Sequence, residues 1–155
     1  MAALPSQQGL LVQNIEHRTR FPAWATEDKV VQFLHNTMKP YEDTVEDIQH
    51  GLDYAFSSHE GKGGFVLLAK LNDQLSGALV MLNTGMRGYV PEHLLLFVSV
   101  APEARRKGVG QALVERAIKE CEGDVELHVE YYNPAKRLYE RIGFTNKYAD
   151  MRYVK

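Results

Sequence analysis

Three cations and two glycines share one short run, Arg105-Arg106-Lys107-Gly108-Val109-Gly110. An apolar stretch, Leu94 to Val100, precedes it and gives out at Pro102, and an amphipathic helical pattern follows it. That order builds an anion site. The first turn of a helix has unpaired N–H groups, the macrodipole is positive there, and glycine lets a ligand approach the backbone. Three cations in one turn point to a polyanion, most simply a pyrophosphate. A turn whose charges only keep it soluble has the same composition, and the run alone does not choose between the two. A P-loop would need G-x-x-x-x-G-K-[ST], which is absent, and a dinucleotide fingerprint would need glycine where Leu113 stands.

Other residues able to do chemistry are scattered. Glu92 and His93 stand where the 94–100 strand begins, and Glu126, His128 and Glu130 alternate along the next predicted strand. Alternation puts those three on one face, which a solvated strand would also show. Glu42, Asp43, Glu46, Asp47 and Asp53 crowd one helical region. They would attract a cationic amine, or they are a solvated face whose N-terminal acids answer a helix dipole. Met86-Arg87-Gly88-Tyr89 reads as a mobile lip, where Arg87 would favour a carboxylate-bearing acceptor and oppose a polyamine. The six histidines and the one cysteine form no close metal-ligand spacing, so no metal is expected.

These residues need elements to hold them. Leu10 to Arg20 reads as a first strand. Thr26 caps a helix with an acidic first turn, striped by Val30, Val31, Leu34 and Met38 and stopped by Pro40. Thr44-Val45-Glu46-Asp47 resembles a capping box, opening a helix striped by Ile48, Leu52, Ala55 and Phe56. Phe65 to Leu71 and Leu75 to Asn83 form a hairpin about Asn72-Asp73-Gln74. The 94–100 strand, a helix from Gly110 to Gly123-Asp124 and a strand from Val125 to Tyr131 make a right-handed parallel crossover. Asn133-Pro134 opens a short helix closed by Gly143, and Met151 to Val154 reads as an edge strand. The predicted class is α/β (α+β), a mixed sheet with an antiparallel front half, one parallel strand-helix-strand unit and helices on both faces.

The chain of 155 residues suffices for one domain, 1–155, burying roughly 70% of its unfolded surface. A net charge of −2 gives no sign of nucleic-acid binding, so the cations at 105–107 are a local feature. Leu94 to Ala101, the longest apolar stretch, is far too short to span a bilayer, and Met1 to Gln8 lacks a signal-peptide pattern. With one cysteine and no internal disulfide, a cytoplasmic location is expected, with no membrane partner.

The run Arg105-x-x-Gly108-x-Gly110 between strand and helix resembles the acetyl-CoA signature of the GNAT superfamily of N-acetyltransferases. A second block, Leu127-x-Val129 followed by Asn133-Pro134-Ala135-Lys136-Arg137-Leu138-Tyr139-Glu140-Arg141-Ile142-Gly143-Phe144, is similar to another motif of that family. The two blocks cover about the C-terminal third of the chain, in the family's order.

The resemblance implies a layout. Backbone groups of Val98 and Val100 would pair with the pantetheine arm of acetyl-CoA. Amides of Arg105, Arg106, Lys107, Gly108, Val109, Gly110 and Gln111 would cradle the pyrophosphate. Asn133 and Lys136 would lie near the rest of the coenzyme. Tyr139 matches the tyrosine that protonates the departing thiolate, although its helical spacing also suits a packing aromatic. Family members often carry a Glu or His on the strand before the basic turn, and Leu94 to Ser99 offers none. Glu130 and Glu92 are the candidate bases, with a water chain as the alternative. The implied activity is acetyl transfer from acetyl-CoA to a primary amine of a small molecule. A protein N-terminal or lysine acetyltransferase and a non-catalytic acetyl-CoA-sensing module share the same features. A homodimer, common in the family, would use the C-terminal strand as its edge.

Overall fold

The computed structural model describes residues 9–155, so Met1 to Gln8, on which the signal-peptide expectation falls, lie outside the described residues. Five strands form one sheet in the order β1 (Leu11–Ile15), β2 (Gly64–Leu71), β3 (Gln74–Asn83), β4 (His93–Val100), β5 (Val125–Leu127). The first four are antiparallel neighbours, and β4 pairs with β5 in parallel. Helices α1 (Glu27–Thr37) and α2 (Val45–Ala55) cover one face; α3 (Val109–Glu120) and α4 (Ala135–Ile142) cover the other.

Period-2 alternation divides the core between the faces. Val66, Leu68, Val80 and Phe97 meet Val30, Leu34, Ile48 and Leu52 on the α1/α2 side. Leu67, Ala69, Leu79, Met81 and Leu95 meet Val109, Leu113, Ala117 and Tyr139 on the α3/α4 side. A Cβ at Gly77 on β3 would stand 2.8 Å from Leu113 Cδ1 and 3.0 Å from Val109 Cγ1, so the missing side chain lets α3 press onto the sheet. Both expected caps form: Thr26 Oγ1 accepts from Lys29 N at 3.4 Å, and Thr44 Oγ1 from Asp47 N at 3.0 Å.

Several expectations are corrected. The first strand stops at Ile15 and Arg18–Arg20 form a 3-10 turn, because Arg18 turns away to pair with Glu27 and Asp53. The hairpin turn is Asn72-Asp73 alone, at φ +52° and +61°, with Gln74 already in β3. The last helix of the crossover ends at Glu120 rather than at Gly123. Strand β5 is three residues long instead of reaching Tyr131. The cause lies in β4, where Met81 pairs with Leu95 but Val80 pairs with Phe97, leaving Leu96 as a bulge. Parallel pairing runs from His93 with Val125 to Leu95 with Leu127 and stops at that bulge. Glu130 therefore sits in a turn, not on a strand face with Glu126 and His128. Met151 to Val154 forms no strand, and Met151 and Tyr153 are about nine-tenths exposed. A neighbour as short as β5 offers few ladder bonds to template one. No helix among the described residues is long and apolar enough to cross a membrane.

Candidate active site

The site begins where β4 and β5 part. Ala101 N donates to Ser76 O on the β3 side at 2.8 Å. Hydrogen-bonding groups alternate along a strand, so those of Val98 and Val100 point the other way, into the gap beyond the bulge. Arg105 Nε occupies the Val100 carbonyl at 3.2 Å, and the amide groups of Val98 and Val100 have no partner across the gap among the described residues.

At the end of β4 the chain makes a 3-10 turn, Pro102–Ala104, and the amide of Arg105 closes it onto Pro102 O at 3.3 Å. Next, Arg106 adopts φ +64° and Gly108 φ +82°, a left-handed pair that turns successive N–H groups to one side. The first bond of α3 runs from Ala112 N to Gly108 O at 3.0 Å. Thus the amides from Arg106 to Gln111 have no acceptor among the described residues, and they sit at the positive end of α3. Gly110 keeps the helix close to its neighbours: a Cβ there would lie 3.3 Å from Leu138 Cδ2 and 3.5 Å from Val100 Cγ2.

The three cations divide. Arg105 Nη2 donates to Thr37 O at 2.8 Å, so its guanidinium fastens the end of α1 to the end of β4 and its own amide is already used. Arg106 and Lys107 are exposed and form no ion pair among the described residues. The Gln111 side chain bonds Glu115 at 3.0 Å, and Val109 is buried under the helix.

Helix α4 brings up Tyr139, which is 7% exposed, edge-on to Phe144 with ring centroids 5.9 Å apart. Its hydroxyl has no hydrogen bond among the described residues. Burial, and then the nearby Glu130 charge, push the phenol up to about 12, so it stays protonated at neutral pH. Asn133 opens the helix as its sequence suggests: Oδ1 accepts from Ala135 N at 3.0 Å, while Pro134 already has helical dihedrals. The other end of the same side chain fixes Glu130, with Nδ2 donating to Oε2 at 3.1 Å, and Asn133 N bonds Glu130 O at 3.0 Å. Lys136 spends its ammonium on Glu140, one turn along α4, at 3.0 Å.

Glu92 has a different task. Its carboxylate accepts from Asp124 N at 2.6 Å, and main-chain donors from Glu92 itself, Asp124 and Gly88 hold it below the usual carboxylate range. A carboxylate satisfied in this way takes up a proton reluctantly, and it pins the turn before β5. Burial pushes the half-buried Cys121 thiol up to about 11, leaving it un-ionised at neutral pH. No group of three or more metal-ligating side chains occurs among the described residues.

The α1–α2 connection closes the site from the opposite face. Tyr41 OH donates to Tyr132 O at 3.2 Å, and the His35 ring donates from Nδ1 to Asp43 O at 2.9 Å. Partial burial, and then the charges of Asp47 and Glu130, raise the Asp43 carboxyl, while Arg152 acts in the opposite sense. The other acids of that region go elsewhere: Asp53 pairs with Arg18 in a surface groove shared with Glu27 and Asp28. Sequence spacing gave no signal for the contacts of Tyr41 with Tyr132, Arg105 with Thr37 or Arg152 with His128, partners that lie far apart along the chain. The 86–89 segment is the exposed tip of a loop closed by Thr84 N to Glu92 O at 2.9 Å, with Tyr89 against Tyr148 at 5.7 Å between centroids.

Comparisons with known proteins bear on the fold and the family. The family described as Acetyltransferase (GNAT) family matches residues 16–144. Among solved structures, a GNAT-family acetyltransferase from Streptococcus pneumoniae superposes with a TM-score of 0.67 at 18% identity, covering 94% of this chain and 98% of that one. An aminoglycoside N-acetyltransferase in complex with CoA gives 0.62 at 15% identity, covering 94% of each chain. At such identities these likenesses show the fold alone. The Cysteine-rich protein 2-binding protein of Mus musculus is 43% identical over 54 residues, which is 34% of this chain and 7% of that protein. The matched family region takes in both the amide cradle and the helix carrying Tyr139, and on that match the chain belongs to the GNAT family of acetyltransferases.

Proposed function

We propose that the protein moves the acetyl group of acetyl-CoA to a primary amine of a small molecule. The observation that carries this reading is the row of acceptor-free amides from Arg106 to Gln111 at the end of an open strand edge. That pairing suits an extended amide-bearing arm ending in a diphosphate: Val98 and Val100 would take the arm, and the amide row, with Arg106 and Lys107, the phosphates. The thioester supplies the acyl group.

The remaining residues divide the proton traffic. A neutral amine forms the new C–N bond as the C–S bond breaks. Glu130, oriented by Asn133, takes the proton that the amine nitrogen sheds. Tyr139, kept protonated by its burial, gives its proton to the departing sulfur, and Glu130 then returns its own to the phenolate. The free cysteine suits a reducing compartment such as the cytosol.

The test is thiol release from acetyl-CoA across amines, amino acids and peptides, with Tyr139→Phe alongside. The expected result is turnover on small amines, with kcat lower by about a hundredfold in the variant and coenzyme affinity unchanged. Turnover confined to peptides would reassign the acceptor to proteins. Tight coenzyme binding with no turnover on any acceptor would make the chain a sensor and overturn the catalytic reading.

A further inference from the structure

Arg105 opens the run of cations before α3, yet its side chain is engaged elsewhere. Among the described residues it forms no ion pair. Its planar guanidinium instead holds two main-chain carbonyls of different elements: Nε donates to Val100 O at 3.2 Å and Nη2 to Thr37 O at 2.8 Å. Thr37 is the last residue of α1, where carbonyls lack helical partners and the dipole is negative, so a cation is favoured there. Val100 ends β4, and its carbonyl points into the gap that the coenzyme arm would fill. Fixing a long exposed side chain in one conformation costs entropy, which two charge-assisted bonds offset.

The Val100 carbonyl can serve twice. A carbonyl oxygen has two lone pairs, so it can accept from Arg105 and from an amide of the coenzyme arm together. The far end of the guanidinium reaches the start of the α1–α2 connection, which borders the site: Tyr41 OH donates to Tyr132 O at 3.2 Å, close in the chain to Glu130. The connection's other hydrogen bonds are local, from Met38 N to Leu34 O at 3.2 Å, from Tyr41 N to Met38 O at 2.8 Å and between the His35 ring and Asp43 O at 2.9 Å. Arg105 and Tyr41 are therefore its hydrogen-bonded ties to the rest of the site among the described residues. We infer that Arg105 is a positioning residue, relaying occupation of the β4 edge by the coenzyme to the connection that walls the acceptor side. The inference rests on the acetyl-transfer reading and deepens it: bound coenzyme tightens acceptor binding, and by linkage the acceptor tightens coenzyme binding equally. An ammonium lacks the planar fork that spans the two carbonyls, so lysine cannot take over this role.

The experiment compares the wild type with Arg105→Lys and Arg105→Ala, and takes Arg106→Ala as the contrast. Its first readout is hydrogen exchange at 38–43 with and without CoA, which needs no turnover. CoA should slow exchange there in the wild type and in neither Arg105 variant, while protection at 106–111 and calorimetric CoA affinity stay as in the wild type. The second readout is KM for butylamine at saturating acetyl-CoA. It should rise about fivefold in both Arg105 variants, the lower end of coupling between sites, with kcat kept. Arg106→Ala should show the reverse pattern, weaker CoA binding with KM for butylamine unchanged. A defect of fold alone would lower kcat and CoA affinity as well, and would not depend on whether CoA is bound. Protection at 38–43 that CoA confers and Arg105→Lys loses, in a protein that acetylates no amine, would uphold the relay while refuting the reaction. Absence of that protection in the wild type, or an unchanged KM in both Arg105 variants, would overturn the inference. So would CoA affinity lost in Arg105→Ala and kept in Arg105→Lys, which would make the side chain a charge for the phosphates.

Discussion

Two ionisable residues near the ends of β4 and α4 show how environment assigns a task. Tyr139 is surrounded by apolar side chains and faces a carboxylate, so its proton is held to about 12, whereas an exposed tyrosine loses it near 10. A group whose folded value is raised favours the fold below its unfolded value and loses that contribution as pH rises through the folded one. Tyr139→Phe should therefore lose less thermal stability than the wild type between pH 9 and pH 12 in melting experiments, apart from its effect on turnover. Glu92 shows the opposite sign. Its carboxylate is held below the ordinary value by main-chain amides, so its contribution is present above that value and fades as pH falls through the folded one. Glu92→Gln should lower Tm at pH 7, converge with the wild type at acid pH and leave kcat unchanged. A kcat that collapsed with Glu92→Gln would make it the base in place of Glu130. Both carboxylates were visible in the sequence. What separated them was hydrogen bonding to distant amides, which spacing does not encode.

Among the elements, α1, α2, α3 and α4 were legible because caps and apolar stripes are local: Thr26, Thr44 and Asn133 each take an amide as their sequence suggests. Strand β5 and the C-terminal stretch were not, because their fate depends on the Leu96 bulge, a property of how β4 pairs and not of any residue in β5. The bulge also opens the edge that the coenzyme arm would need, so the proposed site depends on the element hardest to foresee. The entrance of α3 lies between these cases, since its glycine spacing was readable but the left-handed Arg106 was not. Gly108 sits at φ +82°, where a branched side chain is strained by roughly 1–2 kcal/mol. Gly108→Val should cost about that much in denaturant unfolding, yet weaken acetyl-CoA binding by more than tenfold, because relieving the strain turns the amide row. Calorimetry showing unchanged affinity would remove this corner from the site.

Across the whole molecule, the gap between β4 and β5 separates the sheet β1 to β4, with α1, α2 and α3 packed on it, from a smaller part made of β5 and α4. Two links stand at the open part of that gap: Arg105 holds Thr37 O and Val100 O on one lip, and Tyr41 reaches across to Tyr132 O on the other. A ligand filling the gap would bond to both parts, and binding only the folded state raises its stability by about 2.7 kcal/mol at a hundredfold excess over Kd. Local opening of the links should be suppressed most, since amides exchange through the cheapest opening available to them. Hydrogen exchange with acetyl-CoA present should therefore slow at 97–111 and 128–139, and also at 37–43, which the ligand need not touch but which the two links tie to the lips of the cleft. The β1–β2 pairing, remote from the gap, should not change. Removing one link with Tyr41→Phe should abolish the added protection at 37–43 while leaving that at 106–111, because the amide row depends on the ligand alone. If the variant kept protection at 37–43, the connection would be ordered by direct contact and not through the strut, and coupling between coenzyme and acceptor sides would need another route.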